Sequence, residues 1–300
     1  MLALSGRYNM DLMLYLRIAS IIAIAAVYLI FDIFNKRNVP SIFVYATLIY
    51  GILLAVAYLN LIAVLIDLGI AAVVFALGYA VYRAGQLGLG DVMEMCAISL
   101  ILPFQNFPVL VPLYQYNIPF IIAVAIASGV VALVVVPIYY LPHTGRELAE
   151  SITSMVSKKD VFKSALIGAS YIILIGMLAY THTISIYGVI ILGIIMLGSA
   201  FTILFERPIT ESMIRYVSVD EFEEGDIIAF NLLSVGQVEA LKAKADSFGK
   251  LVTKNMIDEM RANGITDKLP VYKLGIPFAV PIFIAVLISL LLGNLVILVL

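Results

Sequence analysis

The sequence predicts an all-α polytopic membrane protein with about eight transmembrane helices and a small α+β cytoplasmic module before the last helix. Three observations support this fold class. Hydrophobic residues make up 63% of the 300 positions, and charged residues make up only 13%. The mean hydropathy is +1.09. Apolar segments recur along the chain, and a helix needs roughly 20 mostly apolar residues to cross the hydrocarbon core of a bilayer.

Eight apolar segments are predicted as membrane spans. The first is longer than the core of a signal peptide and has no small-residue cleavage site, so we expect it to be retained. The fourth is interrupted by Pro103 and Pro108. In chain order the predicted spans are 12–34, 41–59, 61–82, 92–112, 118–141, 164–181, 184–205 and 275–300.

The basic residues predict how the chain is oriented in the membrane. Lysine and arginine accumulate on cytoplasmic loops, and here they follow the odd-numbered spans, whereas the loops after even-numbered spans have none. We therefore expect a multi-pass plasma-membrane protein with its N-terminus outside. The pattern also supports the fourth span, because deleting it would place later basic loops on the opposite side. The basic residues after the first, third and fifth spans are Lys36, Arg37, Arg83, Arg146, Lys158 and Lys159.

The polar stretch between the seventh and eighth spans predicts a folded cytoplasmic module. The segment DIIAFN at 226–231 is a strand candidate after a turn. Thr253 is placed to N-cap an amphipathic helix that has Ile257 and Met260 on one face and stops at Gly264. The predicted organisation is a transmembrane core over 1–205, the module over 206–273 and a C-terminal transmembrane helix over 274–300.

Charge and cysteine content exclude several classes of partner and site. The net charge of −2 and the isoelectric point near 5.7 give no basis for nucleic-acid binding. The single cysteine, Cys96, excludes a disulfide framework and any multi-cysteine metal site. By the predicted topology His143 and His182 lie on opposite sides of the membrane, so they cannot share a metal. We expect neither a metal nor another cofactor.

The motif GLGD at 88–91 is predicted to begin the fourth span at its cytoplasmic end. Gly88 and Gly90 have no Cβ atoms, so a second polypeptide backbone could approach closely beside Asp91. Alternatively, Asp91 is simply the N-cap of the helix, which is a common helix start.

A second carboxylate, Asp32, lies at the equivalent depth in the first span. The two aspartates can meet only if the first and fourth spans pack together. Ionisable groups at membrane depth are costly and indicate function by default. Two carboxylates held close together cannot both ionise easily, so one acts as a base and the other as an acid. Such a pair can activate water to hydrolyse an amide.

The chain has Asp32 ahead of a basic hairpin and Pro40, and the motif GLGD follows later. This arrangement resembles that of the prepilin and preflagellin peptidases, which are GxGD-type membrane aspartic proteases. The similarity covers the first to about the fifth span. The long polar tail and final span, with LGIPFAVP at 274–281, resemble the extended archaeal branch of this family.

This resemblance implies that Asp32 and Asp91 are catalytic and that Gly88 and Gly90 shape the substrate-binding site. It also implies that the partners are pilin-like or archaellin precursors held in membrane lipid. Their short basic leader would be removed at the cytoplasmic membrane face. Members that also N-methylate the product tend to have a domain with paired cysteines, which this chain lacks. We therefore expect an endopeptidase without methyltransferase activity.

Two further acidic features have alternative interpretations. Glu94 lies three residues after Asp91 and thus on the same helix face. It could hydrogen-bond the aspartate pair or bind the basic leader, or it could simply be solvated at the interface. The acidic cluster VDEFEEGD at 219–226 could attract a basic leader by long-range steering, or it could be an ordinary solvated surface.

Other intramembrane residues are predicted to be structural. Arg17 and Asp67 have matching depths and are expected to form an ion pair between the first and third spans. Glycines in the sixth and seventh spans are expected to allow close helix packing. These glycines are Gly168, Gly176, Gly188, Gly193 and Gly198.

A membrane transporter or channel that uses intramembrane carboxylates is the alternative function. Such a protein is expected to concentrate its charges and helix breaks near the bilayer midplane. Asp32 and Asp91 are instead predicted at one interface, which favours the peptidase.

Overall fold

Helices make up most of the described residues, and a small three-stranded sheet lies in the polar segment before the last apolar helix. The computed structural model describes residues 2–34, 39–57, 60–84, 87–103, 119–140, 156–245, 247–265, 267–272 and 278–295. The helices up to residue 204 are α1 (Leu2–Phe34), α2 (Ser41–Val56), α3 (Leu61–Arg83), α4 (Leu89–Ile101), α5 (Phe120–Tyr140), α6 (Lys158–Tyr180) and α7 (Ile186–Leu204). The helices after them are α8 (Glu206–Ser212), α9 (Val235–Lys244), α10 (Lys254–Ala262) and α11 (Ala279–Leu292).

The prediction of a helical membrane protein is confirmed, but the described helices do not all reach spanning length. Five of them are long and apolar enough to cross a membrane, namely Leu12–Phe34, Leu61–Arg83, Phe120–Tyr139, Lys158–Tyr180 and Ile186–Leu204. The second and eighth predicted spans correspond to the shorter apolar helices α2, of 16 residues, and α11, of 14 residues.

The fourth predicted span, 92–112, differs most from the structure. Helix α4 has 13 residues and ends at Ile101. A proline disfavours the helical conformation of the residue before it, and Leu102, which precedes Pro103, has left the helix. The Phe120 amide donates to the Pro103 carbonyl at 3.0 Å. The remainder of this predicted span, residues 104–112, lies outside the described residues.

Helix α4 lies at the centre of the membrane helices. It contacts α1, α2, α3 and α5, and α11 contacts both α1 and α5. Most side chains of α4 are buried, as expected of a helix with neighbours on every side. On α1 one buried stripe recurs every three or four residues. Its members are Arg17, Ile21, Ala25, Tyr28 and Asp32.

Close helix contacts are made at some glycines that the sequence did not single out. A Cβ added to Gly51 would lie 2.8 Å from Leu100 Cβ, and one added to Gly78 would lie 2.6 Å from Val92 Cγ1. Both glycines therefore allow α4 to approach its neighbours. Among the glycines predicted for this role, Gly198 would place a Cβ 2.7 Å from Leu133 Cβ.

For three of the predicted packing glycines the close-packing prediction is wrong within the described residues. Gly168, Gly176 and Gly193 have nothing within 4 Å of an added Cβ. The positions of glycines in the sequence indicate where two helices could approach each other closely. Which helix face meets a neighbour depends on the rotation of each helix.

The contrast between two glycines of α7 gives a stability prediction. Gly198→Ala is expected to lower the free energy of unfolding by about 1–3 kcal/mol, because overpacking displaces neighbouring atoms. Here the neighbour includes backbone, since the added Cβ would also lie 3.0 Å from the Leu133 carbonyl oxygen. Gly193→Ala is the matched control, and its slightly better helix propensity is expected to leave stability unchanged or higher. Thermal unfolding in detergent measures both. Equal midpoints for the two variants would contradict the predicted contact.

The segment after α7 folds around its own hydrophobic core. Three antiparallel strands, β1 (Ile214–Val217), β2 (Ile227–Ile228) and β3 (Leu269–Tyr272), form a sheet in the order β1-β3-β2. The strand predicted at 226–231 is shorter than expected, because a 3-10 turn begins at Phe230. Completely buried members of the core include Ile228, Val252, Met256, Met260 and Val271.

The helix predicted after Thr253 is confirmed. The Thr253 hydroxyl accepts from the Met256 amide at 3.3 Å, and α10 begins at the next residue. Ile257 and Met260 are buried on one face. Gly264 follows the helix with a φ of +62°, which glycine adopts without the steric cost that other residues incur.

The module contacts the membrane helices at the end that carries GLGD. Lys250 Nζ donates to the Ala84 carbonyl at 3.2 Å. Ala84 is the C-cap of α3, where the last carbonyls lack intrahelical partners and attract cations. The module and the start of α4 therefore lie at the same end of the helices.

A hydrogen-bonded glutamate makes the stability of the module depend on pH. Glu259 accepts from the Ser247 amide at 3.0 Å and from the Ser247 hydroxyl at 2.7 Å. These bonds lower the pKa of Glu259 below its ordinary value, so they stabilise the fold above the pKa of the unfolded chain, roughly 4.3. The stabilisation is lost as pH falls through the lower folded-state pKa.

Glu259→Gln is therefore expected to lower the thermal midpoint at pH 7 and to have a smaller effect at pH 3, below the pKa of the unfolded chain. Glu239→Gln, on the exposed surface of α9, removes the same charge and serves as the control. A Glu259→Gln deficit of the same size at both pH values would rule out the ionised acceptor.

Candidate functional site

Asp32 lies at the end of the buried stripe of α1 and contacts the start of the last helix. Its side chain is only 8% exposed. The Ala279 amide, the first of α11, donates to Asp32 Oδ2 at 3.2 Å. A carboxylate at a helix N-terminus is stabilised by the unpaired amides and the helix dipole. This contact joins the first and last membrane helices at the candidate site.

Asp91 lies in the first turn of α4. The helix begins at Leu89 with Gly88 as its N-cap, so the alternative that Asp91 itself is the N-cap is wrong. Asp91 Oδ2 instead accepts from the Gly88 amide at 3.1 Å. The carboxylate therefore bonds back across the first turn and remains partly exposed.

The two glycines of the motif lie in different surroundings. Gly88 is exposed, and an added Cβ would lie 3.0 Å from Asp91 Oδ2. A Cβ on Gly90 would lie 3.4 Å from Val39 Cγ2. Gly88 therefore keeps space open beside the carboxylate, while Gly90 faces the chain that leads into α2.

Glu94 is completely buried, with 0% exposure. The alternative that it is solvated at the interface is therefore wrong. Both carboxyl oxygens are without a hydrogen-bond partner within the described ranges. Asp91 and Asp32 both act on Glu94 electrostatically, and both are carboxyl groups like it. Helices α1 and α4 thus bring three carboxyl groups into one region.

The surroundings of Glu94 also include Tyr28 of α1, which interacts with it electrostatically. The Tyr28 hydroxyl lies 3.2 Å from the Thr47 hydroxyl, which in turn donates to the Val44 carbonyl at 2.9 Å. A hydroxyl group has a single proton to donate. Since Thr47 uses its proton on Val44, Tyr28 donates to Thr47.

The other end of α4 is held by Arg17, which is only 2% exposed. Arg17 donates to the Leu54 carbonyl at 2.7 Å and to the Ile101 carbonyl at 2.9 Å. Both carbonyls belong to the last turns of their helices, α2 and α4. Arg17 also acts electrostatically on the buried Asp67, and a direct ion pair between the two stays a prediction.

The backbone bonds of Arg17 were not foreseen from sequence. Every residue has a carbonyl, so no residue type marks the acceptor. The available signal was the depth of a buried cation near predicted helix C-termini, where cations are favoured.

The acidic cluster at 219–226 has local roles. Asp220 accepts from Arg261 at 3.1 Å, and Glu221 accepts from the Ser218 amide at 3.2 Å. Asp226 accepts from the Glu223 amide at 2.9 Å. These carboxylates therefore stabilise turns and one ion pair of the module. The steering role remains a prediction.

Within the described ranges, no group of three or more His, Cys, Asp or Glu side chains is arranged to hold a metal ion. Cys96 is a free, buried thiol. His182 lies in the turn after α6 with a φ of 53°, and His143 lies outside the described residues.

Comparison with known proteins gives no match to any family model, curated protein or solved structure. The candidate site therefore stands on its own residues and geometry.

Proposed function

We propose that this chain is a membrane aspartic endopeptidase of the prepilin and preflagellin type, with Asp32 and Asp91 as its catalytic residues. One observation carries the proposal. Asp32 of α1 and Asp91 of α4 both act electrostatically on Glu94, so residues 59 positions apart in sequence share one region. They lie at helix ends rather than at mid-helix, which favours an interfacial hydrolase over a transporter or channel.

The proposed chemistry is hydrolysis of one peptide bond by water. One aspartate takes a proton from water, and the oxygen of that water forms a bond to the carbonyl carbon. The other aspartate, protonated, donates to the carbonyl oxygen. As the C–N bond breaks, the first aspartate returns its proton to the leaving amine. General acid and base groups typically contribute about 10²–10⁴-fold to such a reaction.

The proposed substrate is a membrane-held precursor with a short basic leader followed by one apolar helix. A helical amide is already hydrogen-bonded within its own segment, so the cut must fall where the precursor can be extended. The partly exposed Asp91 and the exposed Gly88 suit an extended segment at the membrane face. Pilin-like and archaellin precursors have this design, and we propose cleavage without N-methylation.

We further propose eight spans with the N-terminus outside and the site facing the cytoplasm. In this arrangement α2, α4 and α11 complete the set as short helices packed among longer ones. The module contacts Ala84 at the same end as Asp91, which agrees with the basic loops being cytoplasmic. A protein with these features belongs to the plasma membrane of a cell that exports filament subunits.

The test is reconstitution of the purified protein in lipid vesicles with a pilin-like precursor. The expected result is a product shorter by the leader, formed equally well in the presence of EDTA. Loss of cleavage on chelation, with recovery on adding zinc, would exclude the aspartic mechanism.

A further inference from the structure

Glu94 is the most unusual polar group of the candidate site. A buried carboxylate without hydrogen bonds is strongly disfavoured, and buried ionisable groups usually respond by becoming neutral. Both oxygens of Glu94 lack partners within the described residues, and the side chain is 0% exposed. An unsatisfied buried group in a native protein requires an explanation.

The groups around Glu94 cannot neutralise its charge. Asp32 and Asp91 are acidic, and the proton of the Tyr28 hydroxyl is used on Thr47. No cation interacts with Glu94 in the described surroundings. A proton on Glu94 itself would remove the charge that these described groups leave uncompensated.

The two aspartates are better placed than Glu94 to carry negative charge. Asp32 accepts from the first amide of α11, and Asp91 accepts from the N-cap amide of α4. Helix N-termini favour anions. Neither oxygen of Glu94 accepts from such a donor within the described residues. Among the three carboxyl groups, Glu94 is therefore the one expected to hold the proton.

We propose that Glu94 is a neutral carboxylic acid that supplies the proton used by the aspartate pair. This inference rests on the proposed peptidase function. When substrate and water enter, one water molecule bridges Glu94 to Asp91, three residues earlier on the same helix face, relays the Glu94 proton to Asp91, and then donates a hydrogen bond to the Glu94 carboxylate. Asp91 then donates this proton to the substrate carbonyl oxygen, while Asp32 takes one from water.

The protons balance over one turnover. When the C–N bond breaks, Asp32 gives its proton to the leaving amine. A hydroxyl of the tetrahedral intermediate returns a proton to Asp91, from which it goes back to Glu94. The products are the new amine and the new carboxylic acid. Glu94 does not touch the substrate, so it is a positioning and proton-holding residue.

The experiment compares Glu94→Gln, Glu94→Asp and Glu94→Met in the full chain. Glutamine fills the same space but has no acidic proton, so kcat is expected to fall about 10²-fold, the lower range for general acid catalysis, with KM changed less than twofold. Glu94→Asp keeps the acid and is expected to retain more activity than Glu94→Gln. Glu94→Met is expected to be as inactive as Glu94→Gln but to unfold at a higher temperature, since it removes an unsatisfied buried group.

A second measurement does not depend on activity. The infrared carbonyl stretch of a protonated carboxylic acid is expected in the wild-type protein at pH 7 and is expected to be lost in Glu94→Gln. Asp258→Asn, an exposed change in the module, is the control that keeps the band. A band that persists in Glu94→Gln overturns the protonation of Glu94. Full activity of Glu94→Gln overturns its role as proton source.

The two measurements also separate this inference from the proposed function. If wild-type protein shows the Glu94-dependent band but cleaves no leader-bearing precursor, the peptidase proposal and the proton-supply role fail while the neutral Glu94 stands. If precursor is cleaved and the band does not depend on Glu94, the peptidase proposal stands and this inference fails.

Discussion

Asp32→Asn and Asp91→Asn are each expected to reduce precursor processing by roughly 10²–10⁴-fold, the contribution of a general acid or base. Asparagine removes the proton-transfer group but keeps a side-chain oxygen. That oxygen can still accept from the Ala279 amide at position 32 or from the Gly88 amide at position 91. The folded structure is therefore expected to survive, and the loss will appear in kcat of the reconstituted enzyme.

The control for this experiment is Asp258→Asn, which makes the same chemical change on the exposed surface of α10. It is expected to process precursor at the wild-type rate. All three variants are expected to accumulate in the membrane in similar amounts. Wild-type processing by either Asp32→Asn or Asp91→Asn would show that the pair is not catalytic.

Arg17→Met is expected to have the largest effect on stability, about 1–3 kcal/mol for each of the two buried carbonyls that loses its charged donor, the usual penalty for an unsatisfied buried group. The change also removes the cation that acts electrostatically on Asp67, whose side chain is 5% exposed. It also removes the donor to the Leu54 and Ile101 carbonyls at the ends of α2 and α4. The measurement is thermal unfolding in detergent, supported by the yield of protein that elutes as a single species.

A double-mutant cycle separates the two causes. Asp67→Leu is expected to restore part of the stability of Arg17→Met, because it removes the uncompensated buried charge. The part that is not restored reports on the two backbone carbonyls. Strictly additive effects of Arg17→Met and Asp67→Leu would indicate that the two side chains do not interact.

Substitutions near one end of α4 are expected to reduce precursor processing, and a substitution near its other end is expected to reduce stability. The Asp32 and Asp91 variants keep the fold and lose turnover, whereas Arg17→Met loses the fold and turnover only as a consequence. The active fraction of Arg17→Met, purified at low temperature, is expected to cleave precursor at near the wild-type kcat. This contrast distinguishes the candidate site from the structural contacts that support it.

The sequence was sufficient to predict the class of the protein and several of its elements. Hydropathy is a local, additive property of a segment, so long helices such as α3 and α6 could be predicted from composition alone. Capping is also local, which is why the helix after Thr253 was predicted correctly. The equivalent depth that we predict for Asp32 and Asp91 follows from counting residues along each predicted span.

Tertiary structure alone decided which faces of the helices meet. The burial of Glu94, the contact of Asp32 with α11 and the close approach at Gly51 and Gly78 depend on how each helix is rotated toward its neighbours. The acceptors of Arg17 are backbone carbonyls, which every residue possesses, so no residue type could identify them. Local patterns therefore determined that the helices form and where their polar residues lie. Packing between segments distant in sequence determined which of those residues share a site, because that choice depends on the combined contacts of several helices.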